Sequence, residues 1–290
     1  MEIIFLGYVI KGTYIDLKEQ FKKLRMDFIM TMEVTKLNIT RDHEGNNIYE
    51  YTKPNYFANY GTLKYEYVIA SYAFAYAMSF SEEGHHRRKR SGGSRNRKNV
   101  EVFCDTFIGK LGEFSVYQYF RQHGITIDYP DVSIMGVGQW DSYDFVYKGR
   151  KIGVKTTKSF GNLILLETKD WSQNAQYIPN LKNGHAEYDD MLFVRVNTNI
   201  VTNLRRQRLY YQDNIDVNVL QKEFNLGPYE FDISHVPIDL IKAAIQNQSI
   251  INKGDYLKSK KTKMDAQNYY IQSGDMYSIQ GYIQQLKTIQ

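Results

Sequence analysis

The chain has 290 residues, with 37 Lys and Arg against 32 Asp and Glu and a formal net charge of +5. That length accommodates one large domain or two modest ones with ample core, and 42% hydrophobic with 24% charged residues is ordinary for a soluble globular protein. The lone cysteine, Cys104, excludes an intramolecular disulfide. It suits a reducing cytoplasm, and no apolar run approaches membrane-spanning length, so a cytoplasmic protein with no membrane partner is expected. The opening Met-Glu-Ile-Ile-Phe-Leu-Gly has neither the basic region nor the long apolar stretch of a signal peptide. Tyrosine is abundant at 25 copies. Asn, Ile and Lys are abundant too, as in a low-GC genome, so the tyrosines carry little weight as base-stacking residues.

Three regions are expected: 1–99, 100–205 and 206–290. The first mixes strand-like runs, Ile3 to Ile10 and Tyr65 to Ile69, with an amphipathic helix around Ile15 to Met30. It ends in a basic loop over 81–99, where Arg87, Arg88, Lys89, Arg90, Arg95, Arg97 and Lys98 face only Glu82 and Glu83. That imbalance equals the net charge of the whole chain. The loop is too polar to be core, and arginines and lysines among Gly and Ser suit contacts to DNA phosphates and guanine edges. The plainer reading is a solvated linker.

A helix is expected from Thr106 to His123, with Asp105 as N-cap and Gly124 as the stop. Phe107, Leu111 and Phe114 form one apolar stripe, and Val116, Tyr119 and Phe120 widen it around most of the helix. Gly109 and Gly112 each cost about 1 kcal/mol relative to alanine in a helix interior, which close approach to a sheet or a phosphate would offset.

Next comes a hairpin. Phe145 to Tyr147 reads as one strand, Ile152 to Thr157 as the next, and Lys148-Gly149 as a two-residue turn. That register pairs Tyr147 with Arg150 and so Asp144 with Gly153. Side chains alternate along a strand, so Lys155 points the same way as Gly153, beside the Asp144 carboxylate. A carboxylate there can hold a divalent cation, and the lysine can orient a water or offset phosphate charge. Taken singly, Asp144 is a strand-end residue and Lys155 a solvated strand lysine; the combination is what points to chemistry. Asp141 reads as structural.

Phe160-Gly161-Asn162 reads as a turn, and a hairpin centred there would set Lys155 opposite Glu167. Met191 to Val196 reads as a buried strand that continues the sheet, and Pro237 to Gln246 as a short helix with Ile238, Ile241 and Ile245 inward. Leu204 to Tyr211 is basic and aromatic and could leave the core toward DNA. Lys258 to Lys263 is a second basic cluster.

An acid on a helix (Gly109-Lys-Leu-Gly-Glu113), an acid opening a hairpin (Asp144) and Gly153-Val154-Lys155 in the next strand resemble the PD-(D/E)XK nuclease superfamily, especially type II restriction endonucleases. The resemblance covers roughly residues 100 to 200. It implies an α/β (α+β) fold, a restriction-endonuclease-like central mixed sheet flanked by helices, here with N- and C-terminal elaborations. It also implies magnesium-dependent hydrolysis of double-stranded DNA. Glu113, Asp144 and Lys155 would be catalytic, with Mg2+ held by Asp144, Glu113 and the main-chain carbonyl of Val154. Lys158 would join the loop cations as a DNA contact, and cutting both strands of a palindrome would call for a homodimer. Gly153 departs from the family, which places Glu, Asp or Gln two residues before the lysine. Glu113 or Glu167 could supply the missing carboxylate, and Glu113 is favoured. A repair or recombination nuclease, or a DNA-binding protein whose nuclease site has decayed, are the rival readings.

Overall fold

The computed structural model describes residues 2–5, 8–11, 19, 23, 32–81, 96–134, 143–257 and 262–289. Most of the basic loop (82–95, with Arg87, Arg88, Lys89, Arg90 and Arg95), almost all of the expected helix around 15–30, Asp141 and the stretch 258–261 lie outside the described residues.

The run from Ile3 to Ile10 is two short antiparallel strands, β1 (Glu2–Phe5) and β2 (Tyr8–Lys11). A second hairpin, β3 (Asn38–Arg41) and β4 (Asn47–Glu50), turns where Asp42 accepts the backbone N–H groups of Glu44 and Asn46, both at 2.9 Å. After the short β5 (Gly61–Thr62), the segment Tyr65 to Ile69 is helical, where a strand was expected. It opens α1 (Tyr65–Phe80). Its aromatic and β-branched residues favour strands locally, but Ala70, Ala73, Ala75 and Ala77 continue it. Val68, Ser71, Ala75 and Ser79 are buried at helical spacing.

α1 packs along the long helix α2 (Asn99–Gln122). The latter starts before the expected Thr106 because Glu101 caps it, its carboxylate accepting the Lys98 backbone N–H at 3.0 Å. Asp105 is therefore inside the helix, where it binds Arg97 at 2.7 Å. Gly124, at φ +77°, ends α2 as expected.

The hairpin β6 (Phe145–Tyr147) and β7 (Arg150–Lys158) has the expected register, Tyr147 with Arg150 and Phe145 with Ile152. Its turn residues Lys148 and Gly149 take φ values of 45° and 79°, the positive pair that a two-residue turn needs to match strand twist. β8 (Leu163–Glu167) then leaves this sheet, and β9 (Asp190–Asn197) returns parallel to β7, continuing the sheet as expected. Two helices, α3 (Ile200–Arg206) and α4 (Val217–Asn225), lead to β10 (Glu230–Pro237), antiparallel to β9, and α5 (Ile238–Gln246) follows with Ile238, Ile241 and Ile245 buried. The last elements are β11 (Ile250–Ile251), β12 (Tyr256–Leu257), β13 (Thr262–Lys263), β14 (Asn268–Gln272), β15 (Tyr277–Ser278) and α6 (Ile279–Thr288).

These strands make one mixed sheet in the order β15-β10-β9-β7-β6, with β5 on β10, beside smaller sheets β11-β14-β8 and β13-β12-β4-β3. The main sheet draws strands from all three regions of the chain. It is flanked by helices: α2 covers one face, and α5 with β8 and β14 covers the other. Alternation along β9 assigns the faces. Leu192, Val194 and Val196 join the core under α2, while Met191 and Phe193 join the opposite core with Trp171 and Ile241. The segment Leu204 to Tyr211 is anchored in the core at two points, while Arg205, Arg206, Arg208 and Tyr211 are exposed. Leu204 and Tyr210 are buried, and the Arg205 guanidinium lies 4.5 Å from the Tyr210 ring centroid. No described helix is long and apolar enough to cross a membrane.

Helix and sheet meet most closely at Gly112. A Cβ there would lie 1.8 Å from the Thr156 hydroxyl oxygen and 2.8 Å from the Thr156 Cβ, and that hydroxyl donates to the Gly109 carbonyl at 3.4 Å. Gly112→Ala should therefore destabilise the fold by about 1–3 kcal/mol, the cost of overpacking a filled interior. Gly109→Ala, whose methyl would meet nothing within 4 Å, should stabilise it by up to about 1 kcal/mol. Equal effects of the two in denaturant unfolding would contradict this packing.

Candidate active site

Asp144 immediately precedes β6, and continuing the hairpin register sets it opposite Gly153. At that point β6 has no further residue to pair with Val154. The Asp144 side chain takes over, its Oδ2 accepting the Val154 N–H at 2.6 Å. N–H and C=O of one strand residue point to the same edge, so the Val154 carbonyl faces the edge where Asp144 sits. The charge of Asp144 also reaches Tyr188, whose hydroxyl is pushed up first by burial and then by that carboxylate.

β7 divides its side chains between two surroundings. Ile152, Val154 and Thr156 face α2; Gly153 and Lys155 face Tyr188, Met191 and the region beyond. A Cβ on Gly153 would come 2.3 Å from Met191 Sδ and 3.0 Å from the Tyr188 ring. The space that an acid two residues before the lysine would need is filled by these two side chains. Lys155 itself is exposed.

Glu113 is carried by the helix on the Thr156 face of β7. There Lys110, its side chain almost buried, donates to Glu113 at 2.6 Å and to the Asp131 carbonyl at 2.7 Å, with the Phe74 ring centroid 4.6 Å away. The ion pair holds this carboxylate against its own helix.

Glu167 is not opposite Lys155 in a hairpin. β9 takes one edge of β7 from Ile152 to Lys158 and β6 takes the other at its start, while β8 pairs with β14, setting Glu167 opposite Asn268. The two residues still meet across a pocket of about 220 Å³, lined by Lys155, Glu167, Asp170, Trp171, Asp265 and Asn268 among others. Asp170 and Asn268, missed in the sequence, are both buried there. Glu167-Thr-Lys-Asp170 reads as a polar strand exit, and only the 3₁₀ turn Thr168–Asp170 folds the second acid inward. The three-residue spacing of the two acids is the signal that could have marked them.

Among the described residues, no group of three His, Cys, Asp or Glu side chains comes together to hold a metal ion. The described members of the basic set are engaged within the chain: Arg97 with Asp105 at 2.7 Å, and Lys98 with Asp213 at 2.6 Å. Lys158 is on the α2 face, near enough to Cys104 for its charge to act on that thiol, which burial foremost pushes well above its ordinary range. No family model, curated protein or solved structure matches the chain.

The crowding at Gly153 gives a test. Gly153→Asp should destabilise the fold by about 1–3 kcal/mol through overpacking. Adding Met191→Ala should restore part of the loss, because it vacates the space that the new side chain enters. Chemical denaturation of the single and paired variants measures both; a tolerated Gly153→Asp would show that the position is open.

Proposed function

We propose that the protein is a magnesium-dependent endodeoxyribonuclease of the type II restriction class, a cytoplasmic homodimer that hydrolyses phosphodiester bonds of double-stranded DNA. The observation that carries this reading is the β6–β7 register, which puts Asp144 and the Val154 carbonyl on one strand edge and Lys155 on the face that Asp144 shares. These donors are hard oxygens, and Mg2+ characteristically takes one or two carboxylates and fills its remaining positions with water and substrate phosphate. Asp144 and the Val154 carbonyl thus fit the ion. When bound, Mg2+ would polarise the scissile phosphate and lower the pKa of a water.

The chain's own residues do the rest. The Val154 N–H fixes the Asp144 carboxylate in one orientation, so no reorganisation is needed when substrate arrives. Lys155 is exposed on the face that Asp144 shares, available to orient the attacking water or to offset charge on a non-bridging phosphate oxygen. Arg87, Arg88, Lys89, Arg90 and Arg95 supply the sequence-independent attraction to the DNA backbone. The filled space at Gly153 and the Glu113–Lys110 pair favour one rival reading, a DNA-binding protein whose nuclease centre has decayed.

Incubating purified protein with long duplex DNA, with and without Mg2+ and beside Lys155→Ala, separates these readings. The expected result is discrete fragments that require Mg2+ and vanish in the variant. A smear would indicate an end- or structure-directed nuclease. Intact DNA across many sequences, with tight binding retained, would establish the decayed site.

A further inference from the structure

The pocket beside Lys155 carries negative charge that the hairpin site does not use. Glu167, Asp170 and Asp265 line it, against Lys155 as the only cation among the lining residues. Asp170 is the informative member. It is 8% exposed, lines the pocket, and has no hydrogen-bond or ion-pair partner among the described residues. An aspartate residue this nearly buried is costly as a carboxylate unless a positive charge, donors or pocket water meet it. Glu167 stands three residues before it, its side chain 18% exposed and 3.9 Å from Lys169. On the facing strand Asn268 commits its Nδ2 to the Ala266 carbonyl at 2.9 Å, which leaves its amide oxygen as the acceptor at the pocket wall.

We infer that Asp170 and Glu167, assisted by the Asn268 amide oxygen, form a divalent-cation site in this pocket. Two carboxylates and a carboxamide oxygen are hard donors, suited to Mg2+, Mn2+ or Ca2+ and unsuited to thiolate- or imidazole-seeking metals. The pocket has room for the waters that such an ion retains. As part of the nuclease centre, a role that rests on the function proposed above, the site supplies carboxylates beside Lys155 that Gly153 cannot.

Tb3+ is a suitable probe, because Trp171 in the pocket wall can sensitise its emission. Titrating the full chain with Tb3+ while exciting tryptophan should give saturable emission that excess Mg2+ reverses. Asp170→Asn and Glu167→Gln, near-isosteric changes, should each weaken binding about tenfold or more. Circular dichroism checks that each variant is folded, and should one fail, the other decides. Emission that does not saturate, or that is unchanged in the folded Asp170 and Glu167 variants, overturns the site. DNA cleavage is measured on the same preparations. Tb3+ binding that depends on Asp170, without cleavage at any Mg2+ concentration, supports the cation site and removes the nuclease reading. Cleavage alongside Tb3+ binding indifferent to both substitutions does the reverse.

Discussion

Everything proposed for this chain depends on how β7 is pinned. Its register on β6 is set by the turn at Lys148 and Gly149, whose positive φ angles allow only a tight two-residue reversal. A slip of one residue would send Lys155 toward α2 and Thr156 toward the pocket. Its other edge is held by seven register pairs to β9, from Ile152–Asp190 to Lys158–Val196. One of its faces is pressed against α2 at Gly112, where no side chain larger than hydrogen fits. The strand can therefore present Lys155 in only one direction.

The electrostatics reinforce this. Asp190, at the start of β9 and 1% exposed, receives Arg150 Nε at 2.8 Å, His235 Nε2 at 2.7 Å and the Tyr282 hydroxyl at 2.8 Å. Burial pushes this carboxyl up, but the donors together outweigh it and hold it below the ordinary carboxylate range. A buried carboxylate satisfied from three elements ties the hairpin, β10 and α6 to one point, and removing any donor would leave charge unmet. A second such knot, Arg195 with Asp232 at 2.5 Å, also donates to the Asn55 and Tyr56 carbonyls and fixes the loop leading into β5. The sheet below the candidate site is rigid for polar as well as apolar reasons.

The parts legible in the sequence were those governed by local chemistry. The Lys-Gly turn, the alternation around it, the glycine that stops α2 and the isoleucine spacing of α5 all act within a few residues, and the structure has each of them. The misread parts were settled by distant partners. Tyr65 to Ile69 has strand-forming residues, but packing against α2 along a helical face overrides that preference. Glu167 was assigned to a hairpin because the pairing of β7 with β9 cannot be seen in a single sequence. Asp170 escaped notice for the same reason, since β14, with which it lines the pocket, lies a hundred residues further on.

The central claim is that Asp144 and Lys155 act as one unit on the β6–β7 hairpin. The most direct test is a double-mutant cycle on Mg2+-dependent DNA cleavage with Asp144→Ala, Lys155→Ala and the two combined. Residues that serve one transition state are strongly non-additive. Each single change should cost about a thousandfold or more in rate, and the pair should be no slower than the worse single variant. Losses that multiply, or full activity in either single variant, would contradict the assignment of these residues to one centre.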